Sequence, residues 1–470
     1  IDSNNGVSNA GTIQITNSDN ATGIGAAAGV TGSINNTGKI IVDETYTPTD
    51  TDNDGDLDGP FASGTGRAGI RTAGAFTGAI TNAKGSTITV EGNNSYGIVL
   101  GGALNGNLST DGTIAVTGNN SAGVKTGDIN GNARIAGTIT AQGGGSSAVL
   151  INGNVSGALT LQGAISSTGY RYTTVPSDPS KLDADDLLQG GPAVSITGNV
   201  GGGVVLAVAP TTSTTDPDTD KDGIPDADEG SAAITSYGSA AALQIGAVGN
   251  SVTLGPVANT AGYGLIINGT ASGNGLYAGV NANGVVIGGL GGAVTVTNGM
   301  QVTGTVAATA NAANATALRI GAGATVPTIV NSGKITATGA STAGQLSQAV
   351  VVDAGANVTS IRNTGTISAT AGTAAGATAI VDKSGSVTSV ENGGAITASG
   401  ADTTSTRNVA IDLTANTSGA TVKQIVVASG TAPSIAGDVR FGSGNDTLDL
   451  GDGSLAGNVT FGAGNNLLTM

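Results

Sequence analysis

The sequence predicts an all-β chain: a single elongated parallel β-solenoid of about 26–30 residues per coil, interrupted by acidic loop insertions. Three observations carry this. Composition is the first: of 470 residues 81 are glycine and only 2% are aromatic, the rest being mostly Ala, Thr, Ser, Asn, Val and Ile. That mixture suits short strands and tight turns rather than helices or bulky globular cores. Such a glycine-rich chain would be disordered if its apolar residues were few, but 38% are hydrophobic and they recur at fixed places. Period is the second observation. Ile88, Val90 and Ile98 return 26 residues later as Ile114, Val116 and Val124, Leu104 is answered by Ile129, and Val149 and Val155 continue the series. Alternation is the third. In Thr87-Ile88-Thr89-Val90-Glu91 every second residue is apolar, and three such stretches per coil give three strands per turn, each with one face turned inward.

The coils can be followed in order by a Gly-x-Ile/Val marker. It occurs at Gly11, Gly38, Gly112, Gly137, Gly163, Gly304, Gly333, Gly365 and Gly394. The polar turn Gly92-Asn93-Asn94-Ser95 returns as Gly118-Asn119-Asn120-Ser121, and reads as an asparagine ladder on the solenoid wall. Within a main solenoid over 1–435, insertions near 43–64, 168–191 and 209–230 are rich in Asp, Pro and Thr, as loops are. Over 436–470 the period shortens. Phe441-Gly442-Ser443-Gly444-Asn445 matches Phe461-Gly462-Ala463-Gly464-Asn465, 20 residues on, placing the two phenylalanines one above the other.

Charge and missing residue types exclude several classes. The net charge of −16 removes the basic footprint of a nucleic-acid binder and opposes an anionic membrane surface. No run approaches the roughly 20 apolar residues of a spanning helix. Cysteine and histidine are both absent, which suits a chain exported through an oxidising compartment and removes the common nucleophile-base pairs of catalysis. Arg67, Arg71, Arg134, Arg171, Arg319, Arg362, Arg407 and Arg440 are scattered, so the basic groove expected of a β-helix enzyme acting on acidic polysaccharides is not apparent. A non-catalytic protein is expected. The chain opens on Ile1 with no basic and apolar leader pattern, so a processed form or a piece of a longer chain is expected.

The sharpest local motif is a calcium loop. Asp218, Asp220 and Asp222 stand at its positions 1, 3 and 5, Gly223 at 6, Ile224 at the backbone-carbonyl position 7, Asp226 at 9 and Glu229 at 12. Calcium is a hard cation needing several oxygens at once, and glycine at position 6 permits the sharp turn that converges them. No helical pattern flanks the loop, so a structural calcium that orders it is expected rather than a sensor that opens. A second loop begins the same way with Asp50, Asp52, Asp54, Asp56 and Asp58, but position 12 is Phe61, and loss of the bidentate carboxylate predicts a weaker site. Asp183, Asp185 and Asp186 lack the spacing and read as solvated. The single Gly442–Leu448 unit resembles a repeat-in-toxin calcium nonapeptide, but it lacks consecutive copies and reads as a structural turn.

Units such as Ile329-Val330-Asn331-Ser332-Gly333-Lys334-Ile335 and Ile361-Arg362-Asn363-Thr364-Gly365-Thr366-Ile367, with the closing Phe-Gly-x-Gly-Asn coils, resemble autotransporter passenger domains of Gram-negative bacteria. The resemblance covers nearly the whole chain and rests on repeat style. It implies a right-handed β-helix, an extracellular or outer-membrane-surface location, and roles in adhesion, biofilm formation or surface structure. The signal peptide and C-terminal barrel of that family are not within this sequence. Two functional classes follow. The expected one is a self-associating filament or surface-layer component, because Asn9-Ala10-Gly11-Thr12-Ile13 enters the repeat without a charged or helical cap and uncapped strand edges template pairing. The other is an adhesin whose projecting loops meet a host, a neighbouring cell, a glycan or a surface protein.

Overall fold

The computed structural model describes residues 1–470 apart from 222, 428 and 429. Strands dominate, and helix among the described residues is confined to two single turns, Pro179–Lys181 and Asp226–Asp228. Among the described residues no helix is long and apolar enough to cross a membrane. The chain forms two compact units, Ile1–Leu243 and Gln244–Met470, each a parallel β-solenoid.

In the first unit the opening coil supplies Val7–Asn9, Thr12–Thr16 and Thr22–Ala26. Each founds a sheet to which later coils add strands in parallel. Lys39–Asp43, Thr87–Glu91, Thr113–Thr117, Thr138–Gln142 and Ala164–Thr168, for example, extend the second sheet. The residues matched by sequence period are register partners: Ile88 with Ile114, Val90 with Val116, Ile98 with Val124 and then Val149, and Leu104 with Ile129 and then Val155. All of these are buried, so the core is a column of stacked aliphatic side chains. The asparagine turn is laddered as its repetition predicts: Asn93 Oδ1 accepts from the Asn119 amide at 2.8 Å, and Asn119 Oδ1 from the Gly144 amide at 2.7 Å.

The second unit repeats the scheme. Val306, Ile335, Ile367 and Ile396 are successive register partners. The marker glycine before each is explained by the stack itself, since a Cβ on Gly365 would lie 2.1 Å from the Gly333 carbonyl oxygen and one on Gly394 2.1 Å from that of Gly365. In the slim last coils Phe441 and Phe461 stack with ring centroids 4.9 Å apart and planes within 8°. Asp446, in the nonapeptide-like stretch, is buried and accepts from the Ala420 amide at 2.8 Å, a structural turn.

A second polar ladder lies inside the corners and is not the one read from the turn. Asn9, Asn36 and Asn82 are joined by amide-to-carbonyl bonds of 2.8 Å each. In the second unit Asn331 donates to Asn363 at 2.7 Å and Asn363 to Asn392 at 2.9 Å. Each of these asparagines, Asn82 apart, stands two residues before a marker glycine, the signal that locates the ladder in the sequence.

The insertions leave the coils at corners. Those over 43–64 and 168–191 both depart between second-sheet and third-sheet strands, four rungs apart, which is about 19 Å at the usual strand spacing. The third, over 209–230, leaves between Val204–Leu206 and Ala233–Tyr237.

Candidate cation-binding loops

The third insertion folds its acidic stretch around its own backbone. Asp226 is 2% exposed; its Oδ1 accepts from the Thr219 amide at 2.9 Å and its Oδ2 from the Thr219 hydroxyl at 2.8 Å. Asp218 Oδ2 accepts from the Gly223 amide at 3.1 Å, and Gly223 takes φ 93°, a turn that a side chain would strain. Carboxylate oxygens of Asp218, Asp220 and Asp226 thereby lie within 4.8 Å of one another. Asp218 Oδ1 is buried without a hydrogen-bond partner among the described residues. Ile224 sits in the bend after Gly223; Asp222 lies outside the described residues.

Glu229 is not in this cluster. Its side chain is fully buried and Oε1 accepts from the Arg134 guanidinium at 2.8 Å, while Arg134 Nε donates to Asp111 at 2.8 Å. Lys84 donates to the Asp228 carbonyl. The base of the insertion is therefore fastened back onto the solenoid wall through a carboxylate that the loop spacing assigns to the cation.

The first insertion repeats the same bonding. Asp58 Oδ2 accepts from the Thr51 amide and from its hydroxyl, the latter at 2.7 Å, and Asp50 Oδ2 accepts from the Gly55 amide at 3.1 Å. Asp50, Asp52 and Asp58 bring oxygens within 4.8 Å of one another. Asp54 and Asp56 are in no such group among the described residues; Asp54 Oδ1 accepts from the Asp56 amide at 3.1 Å. Phe61, in place of the twelfth-position carboxylate, lies under the Arg171 guanidinium at 4.9 Å.

Arg171 belongs to the second insertion and joins it to the first. It donates to Asp186 at 2.7 Å, to Asp185 at 3.0 Å and to the Gly59 carbonyl at 2.6 Å, while the Gly59 amide donates to Asp185 at 2.9 Å. Asp183 is exposed, but Asp185 is half-buried and Asp186 1% exposed, which corrects the reading of the latter two as solvated: the second insertion reaches across four rungs and closes on the first. Asp58, Asp183 and Asp185 then form a further group with oxygens within 4.8 Å, so Asp58 is shared. Partial desolvation and the facing carboxylates of Asp52, Asp58, Asp185 and Asp54 hold the Asp183 carboxyl above its ordinary range. Two hydrogen bonds from Thr51 outweigh desolvation at Asp58 and hold it low.

Arg171 and Arg134 escaped sequence reasoning because the contacts that make them junctions, to the Gly59 carbonyl and to Glu229, span 112 and 95 residues and occur once. Comparison with family models, curated proteins and solved structures gave no match.

Proposed function

We propose that this chain is a non-catalytic scaffold on the surface of a Gram-negative bacterium, of the autotransporter-passenger kind. Its solenoid displays calcium-ordered acidic loops as the contact surface of an adhesin. The observation that carries the reading is the closure of the first two insertions on each other, in which Arg171 donates to the Gly59 carbonyl and the Gly59 amide to Asp185, with Arg171 held in place by its buried pair with Asp186. Loops that a solenoid merely tolerates are solvated singly; these form a joint structure with a buried ion pair, and preorganised loops on a rigid scaffold are where binding is carried.

Calcium is the cation of choice because the clustered ligands are hard carboxylate oxygens and Asp218, Asp220 and Asp226 stand at positions 1, 3 and 9 of the calcium-loop spacing. Asp218, Asp220 and Asp226 would hold one ion. Asp50, Asp52 and Asp58 would hold another, with Asp183 and Asp185 offering the carboxylates that Phe61 does not. Extracellular calcium modules of this kind bind at about 10⁻⁴–10⁻³ M.

The test is electron microscopy and bacterial or host-cell adhesion of the purified chain, each with calcium and with chelator. Adhesion that needs calcium, with particles that stay separate, supports the proposal. Filaments or sheets would replace it with the self-associating surface layer.

A further inference from the structure

The closure of the first two insertions leaves a cleft of about 300 Å³ between them, within the range of small-ligand sites. Asp56 lines it from the first insertion; Tyr172, Pro176, Asp178, Lys181 and Leu182 line it from the second. Its chemistry differs from that of the larger groove beside Thr373, Asp402, Asp438 and Asn458, which has no aromatic or long apolar side chain in its lining. Here an aromatic ring and two apolar side chains stand beside two carboxyl groups and an ammonium.

The walls are held from behind. The Tyr172 hydroxyl accepts from the Leu57 amide at 3.3 Å, tying the ring to the first insertion, and its neighbour Arg171 carries the buried pair with Asp186. Lys181 donates to the Asp54 carbonyl, and Asp178 accepts from the Ser180 hydroxyl at 2.6 Å, which fixes the turn Pro179–Lys181 between them. A site whose side chains are fixed before the ligand arrives loses less freedom on binding.

We propose that this cleft binds the terminal, uncharged sugar residue of a glycan. A pyranose has an apolar C–H face, which an aromatic ring and Pro176 and Leu182 would cover, and a ring of hydroxyls, which a carboxylate and an ammonium can both serve. The neighbourhood selects among sugars. Asp50, Asp52, Asp54, Asp58 and Asp183 stand nearby on the same two insertions, and this negative field opposes sialic and uronic acids. The inference rests on the adhesin reading and names the site that reading leaves open.

The test is saturation-transfer NMR with the intact chain in calcium, using the methyl glycosides of galactose, N-acetylglucosamine and mannose as probes. Saturation of the ring protons of at least one is expected. Tyr172→Phe keeps the ring and should bind, whereas Tyr172→Ala should bind about tenfold more weakly. Circular dichroism of each variant checks that the fold is intact. No transfer to any of the three, or equal transfer to Tyr172→Ala and the parent, overturns the proposal. Adhesion that survives Tyr172→Ala would leave the adhesin reading standing and remove only this cleft from it.

Discussion

Arg171 shows how one side chain fixes the meeting of two loops that have no sequence relation. Its side chain is 6% exposed and its partner Asp186 1%, so removing the cation leaves a buried carboxylate uncompensated. Arg171→Ala should cost the junction on the order of 3 kcal/mol. Amides over 43–64 and 168–191 would then lose protection from hydrogen exchange while those of the coils keep theirs. Unchanged loop protection would mean that the junction does not depend on this pair. Asp56 adds a pH response. Its hydrogen bond with Asp186, and then desolvation, push its carboxyl from the ordinary 3.8 up to about 7. The closed junction therefore keeps a proton that the opened loop has already lost, and closure weakens as pH rises from about 4 through about 7. In chelator, loop protection factors should fall between about pH 4 and pH 7, and Asp56→Asn should remove most of that dependence. An equal fall in the variant would show that another group titrates.

At the scale of elements, the coils were legible because they repeat: Ile88 and Ile114 share a sequence environment, so their pairing is visible as period. The acidic clusters were legible because their carboxylates are local, Asp218 and Asp226 lying within one short segment. The junction was not, since Gly59 and Asp185 are 126 residues apart and occur once. Glu229 was misleading for the same reason: its spacing fits a local motif, but Arg134, 95 residues away, holds it. The buried asparagine ladder is an intermediate case, repeated but hidden within the marker. It also predicts a hierarchy of stability. Asn363 donates to Asn392, accepts from Asn331, and reaches the Gly365 and Ala395 carbonyls. Asn363→Ala should cost about 2 kcal/mol by stranding those buried groups. Asn119→Ala, in the half-exposed outer ladder, should cost about 1 kcal/mol or less. The ordering of urea midpoints decides it, and an equal loss would mean that burial of the inner ladder adds nothing.

For the whole molecule, the question is whether the cation loops and the solenoid form one cooperative system. Solenoid stability is a sum over coils and their interfaces with immediate neighbours, and the terms in that sum are inward aliphatic columns and strand ladders that no carboxylate of the loops enters. Ile88, Ile114, Ile139 and Ile165 are fully buried without contribution from any insertion ligand. The loops attach to this column at corners through ion pairs, as between Arg134 and Glu229, and through hydrogen bonds, as from Gln142 to the Tyr170 carbonyl, so their opening exposes loop surface without breaking a rung. Withdrawal of calcium should therefore raise protease cleavage within 43–64, 168–191 and 209–230 and leave the far-ultraviolet β signal and its melting midpoint nearly unchanged. Because Glu229 is held by Arg134 rather than by the cation cluster, the third insertion should stay tethered at its base in chelator, and Arg134→Ala should release it. A collapse of the β signal on chelation would show instead that the acidic loops are part of the folding unit, and would place calcium among the determinants of the solenoid itself.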